Sequence, residues 1–125
     1  MSYANAYRKT QAETASPERM MVLLFEAALR HMREGATELE HDQRTTFRIH
    51  FSKASQIVAE LARTLDANRA PELAAQLGPL YVFVCERLTH ANLKADAKLA
   101  RDAERVFEPI ADAFTQAVSK AGGAP

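Results

Sequence analysis

The 125-residue sequence has one cysteine, no tryptophan, four glycines and no excess charge, with 16 basic residues against 16 acidic ones. A lone Cys85 excludes an internal disulfide and a cysteine-based zinc site, and its place in an apolar run marks it as a core residue. Balanced charge without a block of one sign gives nothing to follow a phosphate backbone or an anionic membrane, so neither nucleic acid nor lipid headgroups are expected partners. The longest apolar runs, Met20–Phe25 and Leu80–Cys85, fall far short of the roughly 20 residues that span a bilayer. Met1 to Glu13 is polar and carries no apolar signal core, so a cytoplasmic location and no membrane insertion are expected. No glycine-rich loop opens onto a helix to cradle phosphate, and no nucleophile elbow is present.

Helical punctuation and helical spacing fill the chain instead. Ser16-Pro17-Glu18 combines a capping hydroxyl, a proline at the first helical position and a negative charge at the positive end of the dipole, so a helix is expected from Pro17 to about Glu40. Its seam reads Met21, Leu24, Phe25, Ala28, Met32, Ala36 and Leu39, with Met20, Val22 and Leu23 pointing elsewhere, so the first turns are apolar nearly all round. After a polar loop, in which Thr45 or Thr46 is the expected cap, Phe47, Phe51, Ala54, Val58, Leu61 and Leu65 repeat with the 3.5-residue period of a bundle. A third helix opens at Pro71, with Leu73, Leu77, Leu80, Tyr81, Val84, Leu88 and Ala91 facing the core and Val82, Phe83 and Cys85 off the seam. Gly78-Pro79 should kink it or break it in two. A fourth helix, from about Ala95 to Lys120, buries Leu99, Ala103, Val106, Phe107, Ile110, Phe114, Ala117 and Val118, with Pro109 bending it.

The expected fold is therefore all-α: an antiparallel up-and-down four-helix bundle over 16–120, preceded by an arm over 1–15 and followed by a frayed tail over 121–125. The arm is composed too polar to bury a face of its own, yet Tyr3 and Tyr7 make it a candidate lid over the bare start of the first helix.

Catalytic and metal chemistry are not expected. Glu38-x-x-His41 matches half of a di-iron motif, but the second copy is missing and His41 falls at a helix end. Glu86 and His90 are spaced to pair on one helix surface, and His31 and His50 have no ligand-spaced companions. Two helices with more apolar surface than a bundle core consumes point to a binding module, whose usual partner is another amphipathic helix.

Tyr7, Thr14-Ala15-Ser16-Pro17-Glu18, Leu24-Phe25-Glu26-Ala27-Ala28-Leu29, Lys53-Ala54 with Ile57 and Leu61, Leu80-Tyr81, Leu88 and Ala91-Asn92 share their order and spacing with one family. Over nearly the whole chain, from about Tyr3 to Val118, the sequence resembles the flagellar export chaperones of the FliS family. The resemblance implies a non-enzymatic, cofactor-free cytoplasmic bundle that binds the C-terminal, polymerisation-prone segment of flagellin. It further implies that the bundle prevents premature filament assembly and delivers flagellin to a component of the flagellar export apparatus. A regulatory or scaffold bundle binding another flagellar or secretion component is the alternative, and a homodimer made by exchange of a helix or the arm is left open. The tryptophan that the family commonly carries late in its last helix is absent, Phe114 being the nearest substitute. The expected partner surface comprises Met20, Leu23, Val82 and Phe83 from the off-seam apolar residues, Tyr81 and Asn92 from the resemblance, and Tyr7 from the arm.

Overall fold

Each start signal in the sequence opens a helix. In a computed structural model that describes residues 16–122, α1 spans Pro17–Glu40, α2 Phe47–Arg63, α3 Pro71–Lys94 and α4 Ala97–Gly122, with no strand among the described residues. The expected arm, with Tyr3 and Tyr7, and residues 123–125 of the expected tail lie outside the described residues. At the head of α1 the Ser16 hydroxyl accepts the Arg19 N–H at 3.1 Å, with Pro17 and Glu18 in the first turn. The start of α2 is built differently from the expectation: Thr46 is the N-cap, but its side chain does not cap. The Glu38 carboxylate reaches across from α1 instead, accepting the Thr46 N–H at 3.0 Å and also the Thr46 hydroxyl. α4 begins two residues later than expected. Ala95 adopts a left-handed conformation (φ 51°) that closes α3, and Asp96 accepts the Lys98 N–H at 2.9 Å.

Cross-helix pairs fix the topology. Phe25 stacks obliquely on Phe107 and Phe114, Arg33 meets Glu104 and Glu108, and Glu40 meets Arg101, so α1 and α4 run antiparallel. His31 faces His50 across the α1–α2 hairpin, and Cys85 faces Ser55 across α2–α3. α1 and α3 each pack on α2 and α4 and sit diagonally, which is the expected up-and-down bundle.

Core composition follows a period of 3.5 more closely than 3.6. In α2, Phe47, Phe51, Ala54, Val58 and Leu61 are buried as expected, with Leu65 half-buried. In α1, Val22 is buried rather than turned away, and Leu29, not assigned to the seam, is buried too, because Val22, Phe25, Leu29, Met32, Ala36 and Leu39 recur at 3-4-3-4-3 spacing. In α3, Leu77, Tyr81, Val84, Leu88 and Ala91 make the corresponding row, whereas Leu73 and Leu80, expected in the core, are 50% and 39% exposed. Leu80 lies on the flank of that row. The register that sets Ser55 against Cys85 carries Leu73 past the end of α2. α3 is one helix through Gly78-Pro79, not two: Pro79 and Ala75 are exposed, so the carbonyl that loses its helical donor is left to water. In α4, Ala100 and Ala111 are buried along with Ala103 and Phe107, while Ala117, expected on this face, is exposed.

Outside the core, α1 and α4 are tied by a charge network. Arg33 Nε donates to Glu104 at 2.7 Å, and Arg101 donates to Glu104 at 2.8 Å and to Glu40 at 2.8 and 3.0 Å. Burial alone would raise the Glu104 pKa, but the hydrogen bonds from Arg33 and then Arg101 outweigh it and hold the carboxyl below its ordinary value. Its stabilising contribution is therefore complete above the unfolded carboxylate pKa of about 4.5 and disappears as the pH falls through the lower folded value. Glu104→Gln should cost roughly 1 kcal/mol near neutral pH, and thermal melts of variant and parent should converge on acidification. A gap that stays constant from pH 7 to pH 3 would contradict this linkage.

At Gly35 the absent side chain makes room for the ring of Phe51. A Cβ there would lie 2.5 Å from Phe51 Cε1 and 2.8 Å from Cδ1, and the Phe51 ring is fully buried with nowhere to go. Gly35→Ala should therefore destabilise by about 1–2 kcal/mol, overcoming the roughly 1 kcal/mol that alanine gains over glycine in an exposed helix. By chemical denaturation, Leu61→Ala should cost about 2–5 kcal/mol and the half-exposed Leu80→Ala under about 1 kcal/mol.

Candidate partner-binding groove

On the face of α2 turned away from α1, Ser52, Ser55, Ala59 and Ala62 recur at 3-4-3 spacing. Opposite them on α3, Val82, Cys85, Thr89 and Asn92 recur at the same spacing. Small side chains on one wall and medium ones on the other leave a furrow between the two helices, occupied by two hollows of about 500 and 540 Å³ that share Thr89. The first is walled by Ala59, Ala62, Tyr81, Val82 and Cys85, with Arg63, Glu86 and His90 at its edge. The second runs on past Ser52, Ser55 and Gln56 to Asn92 and Leu93. Val82 and Leu93 are 58% and 73% exposed on the furrow's α3 side, apolar surface that the bundle itself does not bury.

Interhelical bonds hold the two walls. Arg48 Nη1 donates to the Asn92 carbonyl and, at 3.2 Å, to Asn92 Oδ1, while Asn92 Nδ2 donates to the Arg48 carbonyl at 3.4 Å. The Cys85 thiol lies 3.9 Å from the Ser55 carbonyl. Burial pushes the Cys85 thiol and the Tyr81 phenol above their ordinary pKa values, so both stay protonated and uncharged near neutral pH. A protonated thiol against a backbone carbonyl is not an activated nucleophile. Glu86 and His90 both line the first hollow but form no ion pair with each other. The furrow offers an apolar floor with polar edges, suited to receiving a side-chain row rather than to moving a proton.

The expected partner residues divide among three places. Tyr81, Val82 and Asn92 belong to the furrow: Tyr81 is buried at its floor, Val82 projects from its wall and Asn92 is engaged with Arg48. Phe83 lies outside it, half-buried under the Arg87 guanidinium, which sits 4.8 Å above the ring centroid. Met20 and Leu23 are half-buried on α1, diagonal to α3, and Tyr7 lies outside the described residues. The α2 wall was missed by sequence reasoning because serine and alanine give a weak apolar signal. Their 3-4-3 spacing alongside the main seam is the mark that could have found them.

The histidines also sort themselves. Glu38 is committed to capping α2, and His41 Nδ1 donates to the Thr37 carbonyl at 2.9 Å, so Glu38-x-x-His41 is a pair of helix-end devices. His31 and His50, expected to lack companions, have each other across two helices, their Nδ1 atoms 2.9 Å apart. Spacing along one helix cannot reveal a pair formed between two. Burial, and then the facing His50, lowers the His31 pKa.

Fold and furrow together define a four-helix bundle with an open groove between α2 and α3, and comparison with known proteins is specific. The model of the family described as flagellar protein FliS matches residues 1–121. The flagellar secretion chaperone FliS of Bacillus subtilis is 32% identical over 113 residues, covering 90% of this chain and 84% of the relative. That of Salmonella typhimurium is 30% identical over 121 residues, covering 96% and 90%. The flagellar secretion chaperone FliSB of Pseudomonas aeruginosa is 31% identical over 97 residues, covering 78% and 77%. The chain belongs to the FliS family of flagellar secretion chaperones.

Proposed function

We propose that this protein is a cytoplasmic export chaperone. It binds the C-terminal, polymerisation-prone segment of flagellin, keeps it from premature assembly and delivers it to a component of the flagellar export apparatus. Membership of the secretion-chaperone family supports the class. The α2–α3 furrow supports the manner of binding: its facing 3-4-3 rows suit an amphipathic helix laid along them, which is how bundle surfaces commonly take helical partners. A filament subunit that assembles through amphipathic terminal helices exposes apolar faces while unassembled, and covering those faces suppresses self-association. The charge-neutral composition and the apolar Val82 and Leu93 fit recognition by apolar contact rather than by charge. No helix among the described residues is long and apolar enough to cross a membrane.

Within the furrow, Ala59 and Val82 should matter most, because a charge on either would have to be desolvated beneath a docked helix. Calorimetric titration with flagellin and with its C-terminal segment should show that Ala59→Glu and Val82→Glu each weaken binding by roughly tenfold or more, with helical content unchanged. Leu23→Glu and Phe83→Glu test whether the partner also wraps onto α1 and the far flank of α3, in the manner of an extended chain. Flagellin lacking its C-terminal segment should not bind. Binding that is indifferent to both furrow substitutions would move the site elsewhere, and failure of the parent chain to bind flagellin at all would favour the scaffold alternative.

A further inference from the structure

On the side of α2 opposite the furrow, His31 of α1 and His50 of α2 bring their Nδ1 atoms to 2.9 Å, with ring centroids 5.2 Å apart. Glu34, one turn along α1 from His31, adds a carboxylate oxygen, and the three ligand atoms all lie within 4.8 Å of one another. Beyond the pair, Glu38 Oε2 lies 3.9 Å from His50 Nε2. We propose that His31, Glu34 and His50 form a site for one divalent transition-metal ion of the imidazole-preferring class, Zn²⁺, Ni²⁺ or Cu²⁺, which staples α1 to α2.

Donor chemistry selects that class. Two imidazoles and one carboxylate suit zinc, nickel and copper, whereas magnesium and calcium demand an oxygen shell. Distance agrees as well: nitrogens about 2.05 Å from a shared ion stand roughly 2.9 Å apart at a right angle and roughly 3.3 Å apart in a tetrahedron. With centroids 5.2 Å apart the two Nδ1 atoms meet nearly head-on, so both rings must pivot before their lone pairs converge on one ion, and for zinc they must also part by a few tenths of an ångström. Without an ion, one Nδ1–H donates to the other Nδ1. The neighbouring Glu38 favours keeping the His50 proton on Nε2, which leaves the His50 Nδ1 lone pair facing His31. The ion takes the place of the His31 Nδ1 proton, which moves through solvent to Nε2 of the same ring, so no net charge leaves the protein. Glu34 is exposed and, among the described residues, held only by a 3.7 Å pair with Arg30, a contact easily exchanged for an ion. Its exposure also leaves water to complete the coordination.

The site stands independently of flagellin binding and is tested on the full chain stripped by chelator. Calorimetry with Zn²⁺ and Ni²⁺ should give one ion per chain and a raised melting temperature, with no response to Mg²⁺. His31→Gln and His50→Gln should each weaken binding by roughly tenfold or more, Glu34→Gln should weaken it less, and His41→Gln and His90→Gln should leave it unchanged. Paramagnetic resonance of the Cu²⁺-loaded parent should report two imidazole nitrogens, falling to one in either ring variant. Absence of binding up to millimolar metal, binding unchanged in both ring variants, or a parent spectrum with fewer than two imidazoles would overturn the proposal. The last of these readings needs no variant to fold.

Discussion

The bundle is organised by a ring filling the space of an absent side chain. The Phe51 ring lies 2.5 Å from where a Cβ at residue 35 would be, so it packs directly onto the backbone of α1 at Gly35. That contact fixes the hairpin's register. One turn before Gly35 on α1, His31 comes opposite His50, and at the loop end the same register lets Glu38 reach the bare N–H of Thr46. Large residues meet small ones elsewhere in the core too: Phe25 and Phe107 are buried with Ala100, Ala103 and Ala111 of α4, Ala54 of α2 and Ala91 of α3. Interdigitation of this kind holds four helices together without a buried charge among the described residues.

With Phe51 and its heptad mates serving the core, the far face of α2 is released from that duty. Serine and alanine there, set against Val82, Cys85, Thr89 and Asn92, leave a depression instead of a ridge. An exposed apolar furrow makes self-association a hazard, and a protein that keeps one ordinarily has a partner for it. For a member of a secretion-chaperone family, the economical reading is that the furrow receives a helix of the cargo, which supplies the missing row of side chains. Keeping the site between two helices that are bonded to each other, through Arg48 and Asn92 at one end and Cys85 and Ser55 midway, presents it preformed.

The sequence was most legible where several local signals coincided. Ser16-Pro17-Glu18 placed the start of α1 to the residue, and the α2 seam from Phe47 to Leu61 was read correctly because every member is large or sits at unbroken 3.5 spacing. Misreadings arose where the relevant partner is distant in the chain. Val22 was misplaced, and Leu29 left off the seam, because a straight-helix wheel drifts from a bundle's true period over four turns; Leu80 was misplaced because apolarity alone does not say which flank a neighbour covers. The Glu38 cap on α2, the His31–His50 pair and the furrow's α2 wall are all created by two helices meeting, and no spacing rule within one helix contains them. Of the furrow's lining, Val82, Tyr81 and Asn92 on α3 were singled out in the sequence, while the small-residue wall on α2 carried too little hydrophobic signal to be noticed.

The central claim is that the cargo lies along α2 and α3. Hydrogen exchange on the free chain and on its complex with the flagellin C-terminal segment tests it without altering a residue. The expected result is added protection concentrated over Ser52–Ala62 and Val82–Leu93, with the α1–α4 face exchanging as before. Protection confined to α1 and α4, with the furrow helices unchanged in a complex that has demonstrably formed, would contradict it.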